Sequence, residues 1–186
     1  MVAANFRRAR KGGVSIVMGP VEHQVLLRVL GEMLELVSVE SGGEAEDDPL
    51  ARAVGIGTAT EAPEDPALAR LFPDGYTDDP EASADFRRYT EPGLRSAKHE
   101  RLATALSTLG EEPHKMLLDA DEAQAWLGAL NDSRLVLGER LGVTEDLEEL
   151  ISALGEDDPR LALLWVYDRL TYLQESLVQA LWGGGP

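Results

Sequence analysis

The sequence predicts a mainly α-helical domain of about six helices with a minor two-stranded β element at residues 14–18 and 115–118. In several long segments apolar residues recur at three- and four-residue spacing, which is typical of helices that bury one face. The segments that begin at Pro49, Pro66 and Pro80 each follow an aspartate, which gives a favourable first turn for a helix. The length of 186 residues suits one packed core.

The first predicted strand is a short apolar, β-branched run at residues 14–18, bounded by Gly12-Gly13 and Gly19-Pro20. A helix follows from Pro20, with a buried face formed by eight apolar residues: Val21, Val25, Leu26, Val29, Leu30, Met33, Leu34 and Val37. Residues 38–48 combine glycines with clustered acids, so we expect a solvated loop.

Two short helices are predicted at residues 49–54 and 65–71, and a longer helical region at residues 80–109 begins after Asp79. Pro92-Gly93 is expected to kink or divide the longer region. Its predicted core positions are the apolar residues Phe86, Tyr89, Leu94, Ala97, Leu102, Ala105, Leu106 and Leu109.

The C-terminal third contains a helix that starts as a capped helix at Asp119 and runs to residue 141. A shorter helix is predicted at residues 144–154, with Thr144 as its cap, and a strongly apolar helix at residues 159–182. Because the last helix is apolar on two sides, it is either central in the fold or shared with a partner subunit.

Residues 17–32 and 117–132 match at an offset of one hundred residues, each copy read as strand, turn and amphipathic helix. The matching strands predict a two-stranded sheet that places the two helices side by side. The alternative is a chance alignment of generic helical patterns.

The formal net charge is −17, but residues 1–11 contain Arg7, Arg8, Arg10 and Lys11 and no acid. The rest has 13 basic against 34 acidic residues, a balance of −21 that repels a phosphate backbone. We predict a flexible basic arm at residues 1–13, one domain at 14–182 and a flexible tail at 183–186. The arm is either a frayed terminus or a contact for phosphate or a partner protein.

The sequence has no cysteine, which excludes disulfides and thiolate metal sites within it. No segment approaches the roughly 20 apolar residues of a membrane span, so we expect a cytoplasmic protein without membrane contact. The three histidines are scattered; Glu22-His23 and His99-Glu100 are expected at the surface. Residues 55–58 lack the context of a phosphate loop and are interpreted as a connector. We predict no cofactor, no metal site and no catalytic residues.

Arg134 lies near the centre of an apolar sector of its helix when positions are counted at 100° per residue. A buried arginine needs carbonyl or carboxylate partners. We therefore predict a structural polar network of Asn131, Arg134, Gln174 and Glu175 between two helices. The alternatives are a ligand or catalytic site at the same residues and an arginine that reaches solvent at the edge of the sector.

Self-association is predicted from apolar residues that fall outside the buried stripes of their helices. The candidate oligomer face consists of Leu135, Val136, Leu161, Trp165 and Tyr172.

Residues 121–126, 130–138 and 170–178, together with the Asp-Pro-x-Leu-x-x-Leu-x-Pro-Asp-x-Tyr segment at 65–76, resemble the hallmark segments of a known family. This actinobacterial family, long described as a domain of unknown function, includes the oxidative-stress transcriptional regulators of the AosR type. The similarity covers most of the chain.

The resemblance implies a non-enzymatic regulatory protein that works with the transcription machinery under oxidative stress. The acidic surface suits basic protein partners, for instance a region of a sigma factor. In AosR-type regulators the redox switch relies on an N-terminal cysteine pair, whereas residues 3–6 here are Ala-Ala-Asn-Phe. This chain either regulates without thiol sensing, or the regulatory role does not extend to it. The competing functions are an enzyme or ligand-binding protein with its site at Arg134, and DNA binding through the basic arm.

Overall fold

A computed structural model describes residues 4–10, 12–38, 61–143, 151–152, 154–155 and 157–183. Within these ranges the fold is mainly helical, with five helices and three short strands. The helices are α1 (Pro20–Ser38), α2 (Pro66–Leu71), α3 (Pro80–Leu109), α4 (Ala120–Leu141) and α5 (Arg160–Trp182). The strands are β1 (Arg7–Arg8), β2 (Val14–Val17) and β3 (Lys115–Leu118).

The three strands form one antiparallel sheet in the order β1-β2-β3. Pairing of β2 with β3 confirms the predicted β element, and its register places Val14 opposite Leu118 and Ile16 opposite Met116. These four side chains are buried and form the inner face of the sheet. The predicted count of two strands was one too few.

The missed strand changes the interpretation of the N-terminal residues, which were expected to form a flexible arm. Arg7 pairs with Ser15 and Arg8 with Val14, and Phe6 is buried in the core. The turn back into β2 uses Gly13 with a φ of +77°, where a Cβ atom would also collide with the carbonyl oxygen of Leu118. Gly12 and Gly13, which the sequence predicts to bound the strand, therefore form the turn of a hairpin.

The predicted helix starts are confirmed at three aspartates, whose side chains accept hydrogen bonds from main-chain N–H groups of the first turn. These are Asp65, Asp79 and Asp119, the last within a reciprocal capping box with Glu122. Of the two alternatives predicted at Pro92, a kink or a division, the division does not occur, because α3 continues through this residue to Leu109.

The long helix α3 packs against both α1 and α4, and α4 also packs against α2 and α5. The core therefore surrounds α4, and the two helices of the internal similarity, α1 and α4, contact each other, although α1 packs mainly against α3. Its largest fully buried side chains are Trp126, Phe72, Ile16, Leu26, Leu30, Leu102, Leu109, Leu118, Leu130, Leu170, Leu173 and Leu177.

The first half of α3 is oriented differently from the prediction. Phe86, Tyr89 and Leu94 are exposed, with Tyr89 at 63% of its full area, whereas Arg87 and Glu91 are buried. His23 also differs, since it is buried and its Nε2 lies 3.2 Å from the carbonyl oxygen of Leu109. Polar side chains with internal partners occupy positions that hydropathy alone assigns to the surface.

Several predictions fall wholly or largely outside the described residues: the acidic loop after Ser38, the helix at 49–54, the connector at 55–58, the helix at 144–154 and the tail after Gly183. Among the described helices, none combines the length and apolar character needed to cross a membrane.

Candidate interaction surface

Two arginines of α3, the buried Arg87 and the largely buried Arg95, share the buried Glu91. Arg87 donates from Nη1 to Glu91 Oε2 at 2.6 Å, and Arg95 donates from Nε to Glu91 Oε1 at 2.8 Å. Both arginines also donate to main-chain carbonyls, Arg87 to Phe72 at 3.1 Å and Arg95 to Val37 at 3.2 Å. The cluster thus joins α3 to the end of α1 and to the segment after α2.

Further contacts extend this cluster in both directions along α3. Arg87 NH2 also donates to Asp74 Oδ1 at 2.7 Å, and the Arg95 guanidinium lies 4.2 Å from the centre of the buried Phe72 ring. Lys98 donates to Asp132 of α4 at 2.8 Å. Charges of opposite sign alternate here, so the cluster has the character of a structural clamp.

The outermost member of the clamp predicts an acid-sensitive contribution to stability. The hydrogen bond from Arg87 holds the pKa of Asp74 below its usual range against the opposing effect of burial. A carboxyl with a lowered folded-state pKa stabilises the fold above its unfolded pKa of about 4, and this contribution is lost as the pH falls through the folded value. Since the side chain is 49% exposed, the effect is modest.

We expect Asp74→Asn to lower the free energy of unfolding at pH 7 and to have a progressively smaller effect below about pH 4. Urea titrations of both proteins between pH 2.5 and 7 measure this difference. A difference that is constant across the whole range would contradict the assignment.

Three of the four residues in the predicted Arg134 network are brought together. Arg134 donates from NH1 to Gln174 Oε1 at 2.7 Å and from Nε to Thr171 Oγ1 at 2.9 Å. The Gln174 amide nitrogen lies 3.4 Å from Asn131 Oδ1, and the Tyr167 ring centre lies 5.5 Å from the guanidinium. These contacts join α4 to α5 through neutral partners.

Glu175 does not join this network. Its side chain is exposed on another side of α5, and it makes no hydrogen bond with Arg134 within the described part of the chain. The reason is helical geometry, because consecutive residues point about 100° apart and only Gln174 faces α4.

The N-terminal residues are attached to α5 and α4. The Phe6 main-chain N–H donates to Ser176 Oγ at 3.1 Å, and its ring meets Trp126 edge to face with centres 5.8 Å apart. Arg169 of α5 donates to Glu22 and to the carbonyl oxygen of Ala4. β1 is therefore fixed beside the last helix.

A groove of about 350 Å³ lies between β1 and α5. Its lining consists of Asn5, Phe6, Arg7, Arg8, Tyr172, Glu175, Ser176, Gln179, Ala180 and Gly183, which together we call the β1–α5 groove. It unites members of three separately predicted sets: the basic arm through Arg7 and Arg8, the polar network through Glu175 and the oligomer face through Tyr172. The spacing of residues in the sequence could not predict that these sets lie together, because the two walls of the groove are more than 160 residues apart.

The groove is locally basic on a strongly acidic protein. Among the described residues, the Arg7 side chain donates to the neighbouring Asn5 Oδ1, at 3.1 Å, and forms no ion pair. Arg8 and the nearby Arg10 are exposed and form no ion pair within the described ranges. Lys11, the fourth residue of the predicted basic arm, lies outside the described residues.

Beside the groove, one side of α5 carries the exposed Trp165 and Tyr172 and the partly buried Leu161, which together we call the aromatic strip. Trp165 is 52% exposed, Tyr172 is stacked against the Arg169 guanidinium at 4.8 Å, and Leu161 is partly buried. The predicted oligomer face requires a correction on α4, where Val136 is buried at 3% exposure although Leu135 is exposed. Val136 faces inward because α4 is enclosed by helices on several sides.

The groove offers recognition rather than covalent chemistry. Its one serine, Ser176, donates to the carbonyl oxygen of Leu173 at 2.9 Å and accepts from Phe6, and the lining contains no histidine that could act as a base for Ser176 or Tyr172. Across the described residues, no three acidic or histidine side chains converge as metal ligands.

Comparison with known proteins shows that the chain belongs to the family described as "Domain of unknown function (DUF2017)", whose model matches residues 3–181. This confirms the family resemblance inferred from the sequence motifs.

Several relatives carry the AosR name. The chain is 33% identical over 179 residues to the "Putative oxidative stress regulator AosR" of Mycobacterium leprae, a match that covers 89% of this chain and 81% of that protein. It is also 33% identical over 180 residues to the "Oxidative stress regulator AosR" of Mycobacterium tuberculosis and of Mycobacterium bovis, with the same coverage. No solved structure matches the chain.

Proposed function

We propose that this protein is a non-enzymatic regulator of the response to oxidative stress, and that it acts by binding a protein of the transcription machinery. The relatives' names supply the regulatory class. The observation that favours protein binding is the exposed aromatic strip directly beside the β1–α5 groove.

The composition of this surface resembles that of protein interfaces. Tyrosine, tryptophan and arginine are enriched in protein interfaces, and the same three residue types contribute most of the binding energy. Trp165, Tyr172 and Arg8 supply these residue types within one region of the fold. An overall charge of −17 adds attraction for a basic partner surface, and a region of a sigma factor is our candidate.

Site-specific cross-linking in the native host tests the proposal. A photoreactive phenylalanine analogue at position 165 is expected to capture a transcription protein when cells are exposed to peroxide. The matched control places it at position 89, because Tyr89 is an equally accessible aromatic residue on α3. Mass spectrometry that finds no transcription protein enriched at position 165 over position 89 would exclude the proposed partner class.

Trp165→Ala is expected to reduce capture of that partner by tenfold or more, since interface tryptophans contribute about 2 kcal/mol or more. The same variant should change the free energy of unfolding by less than about 1 kcal/mol, because its side chain is half exposed. Quantitative pull-down and urea denaturation measure the two effects. If the variant loses both partner binding and a large part of its free energy of unfolding, Trp165 stabilises the fold instead of contacting the partner.

A second copy of the chain is the alternative occupant of the aromatic strip, as the predicted oligomer face suggests. Light scattering after gel filtration of the wild-type protein and of Trp165→Glu separates the two cases. A wild-type dimer that dissociates in the variant would assign the strip to self-association.

A further inference from the structure

We infer that the open edge of β1 is a docking site for an extended, acidic segment of a partner protein, which pairs with β1 as a fourth strand of the sheet. The inference rests on the proposed function in taking the partner to be a protein, and it specifies the chemistry of the segment that is bound.

The first support is the direction of the main-chain groups of β1. Ala9 N–H donates to the Gly13 carbonyl oxygen at 3.0 Å, so this pair and the Arg7–Ser15 pair belong to the hydrogen-bonded set of the hairpin. In an antiparallel ladder the intervening residues point their N–H and C=O groups the other way. Arg8 therefore presents both groups away from β2.

Phe6 provides an independent check of this direction. It is two residues before Arg8, so its main-chain groups point the same way, and its N–H indeed reaches Ser176 of α5 at 3.1 Å. Helix α5 thus accepts the outward hydrogen bond of the strand edge at Phe6. At Arg8 the same edge of β1 faces the groove.

The second support is space next to that edge. The groove of about 350 Å³ extends along the far wall from Tyr172 to Gly183, a stretch of three helical turns. Exposed edges of this kind are usually shielded, and an edge left open is a template for another strand. Tyr172 and Gln179 can contact alternate side chains of a bound segment.

The third support is charge. The lining contains two arginines and one glutamate, and Arg10 lies just beyond it on the hairpin. Because salt limits the reach of surface charges to roughly 8 Å at physiological ionic strength, the local arginines outweigh the acidic body at this site. Acidic side chains that alternate along an extended segment can pair with Arg8 and Arg10.

The test uses the intact protein and defined peptide probes. A fluorescein-labelled heptapeptide of alternating valine and glutamate is compared with a valine and lysine heptapeptide by fluorescence anisotropy in 150 mM salt. We expect the glutamate peptide to bind about tenfold or more tightly than the lysine peptide. Equal affinities, or no binding of the glutamate peptide at millimolar concentration, would overturn the inference.

Variants then locate the binding site. Arg8→Glu is expected to weaken glutamate-peptide binding by about tenfold or more, and Arg8→Lys by much less, because charge is retained. Arg28→Glu makes the same charge change at an exposed position of α1 outside the groove, and should leave affinity nearly unchanged. A loss of binding in Arg28→Glu that equals the loss in Arg8→Glu would reduce the effect to net charge and contradict the site.

Backbone methylation distinguishes strand pairing from simple charge attraction. Since alternate N–H groups of an added strand face β1, N-methylation of either all valines or all glutamates should abolish binding, while methylation of the other set should be tolerated. The amide of Arg8 should also become protected from hydrogen exchange. Equal effects of the two methylated sets, with no protection of Arg8, would overturn strand pairing.

The outcomes separate this inference from the proposed function. If the glutamate peptide binds but no transcription protein is captured, the docking site at β1 is supported and the proposed regulatory partner is contradicted. Capture at position 165 by a partner whose binding is insensitive to Arg8→Glu would retain the function and reject the groove.

Discussion

Replacement of Glu91 by alanine is expected to lower the free energy of unfolding by about 3–5 kcal/mol. Glu91 is 3% exposed and is the shared acceptor of the buried Arg87 and the largely buried Arg95, so its removal takes from both guanidinium groups the buried carboxylate that balances their charge. Arg87 keeps its ion pair with the half-exposed Asp74, whereas the main-chain carbonyls of Phe72 and Val37 carry no compensating charge.

The matched control is Glu100→Ala, which removes an exposed glutamate from the same helix and should change stability by less than about 0.5 kcal/mol. Urea denaturation followed by circular dichroism compares the midpoints at a common slope. Equal midpoints for the two variants would show that the clamp contributes little.

The second large effect is expected for Trp126→Ala, which should cost about 3–5 kcal/mol. Trp126 is fully buried, its ring meets Phe6, and its indole N–H donates to Thr108 Oγ1 at 2.7 Å. Truncation therefore opens a cavity between β1, α3 and α4, and leaves the hydroxyl without its donor.

Two further tryptophans serve as controls of the same residue type. Trp165→Ala and Trp182→Ala remove exposed rings and should each cost less than about 1 kcal/mol. Thermal unfolding by calorimetry ranks the three variants. A cost for Trp182→Ala as large as that for Trp126→Ala would contradict the burial assigned to these rings.

Local signals predicted most of the helical framework. Asp65, Asp79 and Asp119 marked the helix starts, because capping depends on residues that are adjacent in sequence. These features need no knowledge of distant residues. The pairing of β2 and β3 was also predicted, but from the similarity of residues 17–32 to residues 117–132.

The site was harder to predict because its parts come from distant segments. Residues 7 and 8 are both arginines and lack the alternation of apolar and polar residues that is typical of a strand. Only their pairing with β2 in the structure shows that they form one. Arg87 and Glu91 are spaced as a solvated helical ion pair, and their burial follows from Phe72 and Asp74 folding over them. Val136 was assigned to the oligomer face and Glu175 to the Arg134 network, and both assignments were wrong. Each assumed a single buried sector on its helix, whereas α4 packs against several neighbouring elements and, of Gln174 and Glu175, α5 turns only Gln174 towards α4.

The attachment of Phe6 to Ser176 sets the order in which this protein can be completed during synthesis. Two residues separated by 170 positions must meet, so β1 can form its hairpin with β2 early but must wait for α5 before it is enclosed. Contacts of such large sequence separation form late and slow the folding of a domain. The β1–α5 groove therefore cannot be complete until α5 has been synthesised, and a chain stalled before residue 172 would expose a basic hairpin without its helical wall.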